Sequence, residues 1–332
     1  MRSRHAITFA AVLAVLAVAS CKKEKKETYN DFMEGTLEFT PVNEYLAQDT
    51  QLSLVPFGLT NPDNTGYYWY SSWNTKKDTT RVEGGSGNGG YTVKVPHELG
   101  KYKLSCVAFA AGYYTSTAIA EFYVVSPEVN TTITDAELTK NSYKVTDGRD
   151  GNAYYATNSE PHWFKSNLGY SGSGVSYKSS PAMDMVFGRY YTWNEAMTAC
   201  PEGWRLPSDA DFAALAAKVA GDGSEFKIHE DFKGVAGGFM VNASFLGERM
   251  WEFWPQVKIT NKSELCAIPT GYCIDMAGST RFVGTNEYAA FWTSDDDEDN
   301  GFYRYFYVDK NDVLIGKGNK DSFRANVRCI KD

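Results

Sequence analysis

Between residues 35 and 125 apolar and polar positions alternate in short runs, at 35–40, 51–55, 67–70, 91–95, 101–109 and 119–125. A period of two sends successive side chains to opposite faces of a strand, so each run predicts a strand with one buried side. Turn-forming clusters separate the runs, among them 61–66 and the glycine-rich 84–90. Strands of this length and spacing predict an all-β sandwich over residues 30–127. Within the run at 101–109, Tyr102, Leu104, Cys106 and Ala108 share a face, which makes Cys106 a buried thiol of the sandwich core.

The alternation breaks at Ser126 and Pro127, and residues 128–142 read as a linker. Beyond it, over 143–332, the period changes. Trp193, Ala196, Met197 and Cys200 recur at helical spacing and predict a short helix stopped by Pro201. A second helix is predicted over 208–220, with Phe212, Leu215 and Val219 as its core stripe. Ser208 and Asp211 form its capping box, and Gly221 ends it. The rest is rich in glycine and aromatic residues, with short strands and long loops. The second half is therefore α+β with two short helices.

The N-terminus changes the picture from a soluble to an exported chain. Arg2, Arg4 and His5 precede an apolar run that ends at Ala19, too short for a comfortable membrane span and proportioned like a signal peptide. Small residues lead into Cys21, an arrangement that resembles the bacterial lipobox, so residues 1–20 read as a lipoprotein leader and Cys21 as the lipidated residue. A charged tether follows over 21–29. Lys22 is not the aspartate that usually retains lipoproteins at the inner membrane, so an outer-membrane address in the cell envelope is expected. The net charge of -8 argues against nucleic acid as a partner. Aromatic residues make up 15% of the chain, with 22 Tyr, which favours half-exposed sheets and contact surfaces.

With Cys21 set aside, Cys106 stands alone and Cys200, Cys266, Cys273 and Cys329 allow three connectivities. The six residues between Cys266 and Cys273 include Pro269 and Gly271 and suit a local bond, which would leave Cys200 and Cys329 to close the domain end to end. Two surfaces are candidate sites. In the acidic run 295–300, Asp296, Glu298 and Asn300 alternate ahead of Gly301, an approximation to a calcium loop in which Tyr307 stands where an EF-hand has Glu. Trp251 and Trp254, together with Tyr303, Tyr305 and Tyr307 on one face of a strand, form an aromatic set suited to a glycan or an envelope protein. Phe302, Arg304 and Phe306 fall on the strand's other face. No nucleophile–His–acid set is visible, and an enzyme is not expected.

Several stretches resemble known families. Trp69 followed by residues 100–109 and 111–113 resembles bacterial Ig-like and PKD-like modules. In the second half, 145–154, Trp163 with Asn167 and Leu168, 188–197, 199–208, 291–294 and 325–332 follow one another in an order that resembles the Fibrobacter succinogenes major paralogous domain. That resemblance covers 143–332 and implies a C-type-lectin-like fold, with Cys200 bonded to Cys329. Together with the lipobox at Cys21 and the aromatic surfaces, it suggests a lipid-anchored binding or display protein, in which the sandwich presents a lectin-like head to glycan or protein ligands. The alternative is a structural or assembly subunit of a surface appendage. A third reading, from Arg205 to Ser208 ahead of a helix, is similarity to formylglycine-generating enzymes, with Cys266 and Cys273 as the available thiols.

Overall fold

The computed structural model describes residues 30–60, 65–73, 80–83, 89–127, 132–251 and 257–332. The leader, Cys21, the tether and Trp254 lie outside the described residues. Among these residues the chain is mostly β-sheet with three short α-helices.

Nine strands precede residue 126: β1 (Glu34–Phe39), β2 (Tyr45–Ala47), β3 (Gln51–Leu54), β4 (Pro56–Thr60), β5 (Gly66–Ser72), β6 (Thr80–Glu83), β7 (Tyr91–Lys94), β8 (Gly100–Phe109) and β9 (Ser116–Val125). Five of them form one sheet in the order β2-β9-β8-β5-β6, while β1 pairs with β4 and β3 with β7. The alternation of β8 decides which face is core. Tyr102, Leu104, Cys106 and Ala108 are buried, and Lys101 and Lys103 are exposed. Trp69 is fully buried, stacks on Tyr91 at 5.3 Å, and donates its indole N–H to the Gly89 carbonyl at 2.8 Å. Burial pushes the Cys106 thiol up to about 12, so it stays protonated at neutral pH.

The segment read as a linker is, from Thr132 onward, packed structure. Helix α1 (Asp135–Thr139) is capped by Thr134, and Ile133 and Leu138 are buried in a cluster that also takes in Tyr45 and Val125 of the N-terminal strands. Two apolar side chains on an otherwise polar stretch were enough to draw it onto the fold. Lys178 adds an ion pair to Glu44 at 2.8 Å across the same junction.

Beyond α1 come β10 (Ser142–Thr146) and β11 (Ala153–Thr157), α2 (Trp193–Ala199), β12 (Trp204–Arg205) and α3 (Asp209–Ala220). They are followed by β13 (Ser244–Phe245), β14 (Glu248–Arg249), β15 (Tyr272–Met276) and β16 (Ser279–Val283). The last strands are β17 (Tyr288–Asp296), β18 (Asn300–Tyr307), β19 (Leu314–Asn319), β20 (Phe323–Arg324) and β21 (Ile330–Lys331). Two three-stranded sheets, β17-β18-β19 and β16-β15-β20, carry the centre of this half. Thr192 and Glu195 form a capping box on α2, as Ser208 and Asp211 do on α3; each cap is worth about 1 kcal/mol. The buried stripe of α2 runs through Ala196 and Ala199, while Met197, expected inside, is 43% exposed. Gly221 ends α3 at φ 68°, a backbone state few other residues adopt cheaply.

Cys200 is bonded to Cys329, with Cα atoms 5.8 Å apart and a separation of 129 positions in sequence. On the chain-entropy account a loop of that length contributes on the order of 4–5 kcal/mol. The bond expected between Cys266 and Cys273 is not formed, and both are buried free thiols. The intervening residues do not fold back as a hairpin. Ala267 bridges to Met240, Gly271 bridges to Ala289, and Cys273 lies in β15 opposite Phe282 and Arg324. The segment is drawn out between separate partners, which carries the two sulfurs away from a bonding geometry.

The motif residues are structural. Asp147 is fully buried and accepts from the Arg149 guanidinium, which also donates to the Ala199 carbonyl at the end of α2 and stacks over Tyr170 at 3.6 Å. Arg328 is buried among the carbonyls of Phe164, Leu265 and Cys266 and donates to Asn167 Oδ1 at 2.8 Å. Burial pulls its guanidinium down to about 9.

Candidate functional site

Strand β18 is central in its sheet, hydrogen-bonded to β17 on one side and β19 on the other, so both faces of the sheet are set by its alternation. One face is sealed. Phe306 and Arg304 are fully buried, Phe302 nearly so, and Phe291 from β17 lies beside them over the α3 residues Phe212 and Ala216. The charge of Arg304 is answered within this core by Asp209, the first residue of α3. Both groups are completely buried, with Nη2 donating to Oδ2 at 2.7 Å. The guanidinium lies 3.5 Å from the centre of the Phe232 ring and donates to the Glu230 carbonyl at 2.6 Å. This ion pair clamps α3 to β18.

The other face carries the tyrosines. Tyr303, Tyr305 and Tyr307 are half-buried. The register sets Tyr288 directly opposite Tyr307, and their rings are 4.6 Å apart. Tyr272 reaches in from β15, 5.9 Å from Tyr288, and Phe323 covers Tyr303 at 4.6 Å. The result is a continuous aromatic surface, deepest at Tyr303 and opening toward Tyr288, Tyr305 and Tyr307. Gly316 lies opposite Tyr303, where a Cβ would stand 2.4 Å from the ring, so only glycine lets that tyrosine lie flat against β19. Among the described residues none of the five tyrosine hydroxyls has a hydrogen-bond partner. Burial pushes the phenols of Tyr288, Tyr303 and Tyr305 up, and neighbouring phenols add to this at Tyr288 and Tyr303. They are neutral donors and acceptors at physiological pH.

The acidic run is the tip of the β17–β18 hairpin, closed by Asp297 N–H donating to the Asn300 carbonyl. Asp296, Glu298 and Asn300 do not converge on a common point. Asn300 donates through its amide to Asp297, and the Lys320 ammonium stands in the turn. Lys320 Nζ donates to Asp296 Oδ2 at 2.6 Å, to the Asp297 carbonyl at 2.7 Å and to the Glu298 carbonyl at 3.1 Å, and it sits 4.9 Å from the Trp193 ring centre. The oxygens that a calcium ion would use face a cation built into the chain. Among the described residues no group of three or more His, Cys, Asp and Glu is arranged to hold a metal.

Of the residues expected to contact a ligand, Tyr303, Tyr305 and Tyr307 come together. Trp251 does not: it is fully buried in the core cluster on the sealed side of the sheet, packed with Phe239 and Val257. A tryptophan in a glycine-poor aromatic stretch reads equally well as contact or core, and burial assigns it to the core. Trp254 lies outside the described residues. Tyr272 and Tyr288 were missed because nothing local marks them; they join the face only through strand register.

The chain belongs to the Fibrobacter succinogenes major domain family, whose model matches residues 129–331. The match begins before α1, in keeping with the packing of residues 132–142 onto the fold. No curated protein matches the chain. Among solved structures, the adhesin InvE of Yersinia pseudotuberculosis aligns over 90% of this chain and 70% of its own, with a TM-score of 0.23 and 11% identity. A superoxide reductase (neelaredoxin) from Ignicoccus hospitalis aligns over 27% of this chain and 80% of its own, with a TM-score of 0.22 and 13% identity. Neither likeness is close enough to fix a fold or a function.

Proposed function

We propose that this chain is a lipid-anchored protein of the cell envelope, held at an outer membrane through Cys21. An Ig-like N-terminal sandwich lifts a C-type-lectin-like head, and the tyrosine face of the β17-β18-β19 sheet contacts a glycan. The observation that carries the reading is that five tyrosines share one half-exposed surface with no hydroxyl committed to the protein. An aromatic ring packs against the C–H face of a sugar, and its phenol donates to or accepts from ring hydroxyls. A half-exposed phenol that makes no bond within the protein is free to meet a ligand.

The role is binding rather than catalysis. Cys266 and Cys273, the thiols that a formylglycine-type reaction would recruit, are fully buried, and burial pushes both up, away from the reactive thiolate. The test is a glycan array probed with the whole chain, in calcium and in chelator. The expected result is a discrete set of glycans bound equally in both. An array that stays silent while envelope proteins co-purify with the chain would overturn the glycan reading in favour of an assembly subunit.

A further inference from the structure

A second concave site lies away from the tyrosine face, where α3 ends. It has a volume of about 480 Å³, within the range of small-ligand sites, and its walls come from the end of α3, the loop that follows it and residues 258–262. Three lysines line it, Lys233, Lys258 and Lys262, against one carboxylate, Asp222. Lys233 is committed, lying 3.2 Å from Asp231 and 3.1 Å from Asp312. Lys262 makes one long hydrogen bond, 3.3 Å to the Val219 carbonyl, and keeps donors in reserve. Lys258 is exposed and has no partner among the described residues. With Asp231 and Asp312 on Lys233 and Asp222 near Lys262, the pocket is about neutral on a chain of net charge -8, and Lys258 and Lys262 are its available ammonium groups.

The remaining walls narrow the ligand further. Phe226, packed edge-on to Phe232, supplies an aromatic surface. Asp222 accepts from the Ser224 N–H and hydroxyl through Oδ1, and the Thr260 hydroxyl donates to the Gly237 carbonyl at 3.4 Å, so each can still accept from a hydroxylated ring. An inorganic anion would leave most of this volume empty and gain nothing from Phe226 or Asp222. We propose that this pocket binds a carboxylated pyranose, with the carboxylate on Lys258 and Lys262, the ring against Phe226 and a ring hydroxyl on Asp222. The site is independent of the tyrosine face.

Sodium glucuronate, glucose and sodium sulfate serve as probes, titrated into the whole chain by calorimetry and ligand-observed NMR. Glucuronate should bind at least about tenfold more tightly than either glucose or sulfate, with an affinity that falls as salt is raised. Lys258→Glu should weaken glucuronate at least about tenfold. Lys258→Arg should retain most of the binding. Lys258 is exposed, so a melting curve matching the parent's would show that the charge change, not unfolding, is responsible. Failure of glucuronate to bind, sulfate binding as tightly, or Lys258→Glu binding like the parent would each overturn the assignment. The two Lys258 variants report on this pocket, so they read its binding whether or not the tyrosine face binds glycan.

Discussion

On β18 the side bearing Phe302, Arg304 and Phe306 and the side bearing Tyr303, Tyr305 and Tyr307 are built from residues of similar size, and a difference of one position in the alternation sends them to opposite fates. The first side is dry. The charge of Arg304 is matched by the buried Asp209 carboxylate and held over the Phe232 ring. The second side has comparable aromatic area but leaves its hydroxyls without internal partners. The contrast separates what holds the sheet in place from what the sheet presents. Most buried polar groups are paired from within, while those on a half-open face stay available to solvent or a ligand.

Breaking the sealed side should have the largest effect. Arg304→Met leaves the Asp209 carboxylate buried and uncompensated, and denaturant unfolding should show a loss of about 3–5 kcal/mol. The double variant R304M/D209N should recover part of that loss, since it removes the orphaned charge. At the hairpin tip, Lys320→Met strips Asp296 and two carbonyls of their donor and should cost about 1–3 kcal/mol. Millimolar calcium should raise the melting temperature of that variant and leave the parent's unchanged, because only the variant frees the oxygens. On the open side, Tyr305→Ala and Tyr307→Ala should each cost on the order of 1 kcal/mol or less.

The smallest effect expected is at Asp297. The Lys317 ammonium, helped by the Asn300 N–H, holds its carboxyl down to about 2. A folded-state value below the ordinary one stabilises the tip above the usual carboxylate range, and that contribution disappears as pH falls through about 2. The amide resonance of Asn300 should titrate with a midpoint near that value, and a midpoint near 4 would remove Lys317 from the picture.

How much of this the sequence revealed depends on the range of the interaction. Strands β8 and β18 and the helices α2 and α3 were legible because alternation, helical spacing and the Ser208–Asp211 cap are local. The same alternation separated the two faces of β18 without saying which was core; that is decided by α3, which brings Asp209 to Arg304 from 95 residues away. The acidic run resembled a calcium loop because its own residues are oxygen-rich, while the cation that meets them, Lys320, arrives from the turn after β19. Cys266 and Cys273 are near neighbours in sequence, yet their segment is stretched between Met240 and Ala289, partners that spacing does not reveal. Tyr272 and Tyr288 were invisible for the same reason.

The most direct measurement compares the parent with Y305A/Y307A in affinity for the best glycan on the array, with the melting temperature of both recorded alongside. Loss of binding by tenfold or more in a variant that still melts cooperatively near the parent's temperature is the expected outcome. Undiminished affinity in that variant would place recognition elsewhere on the molecule and leave the open tyrosines without a purpose.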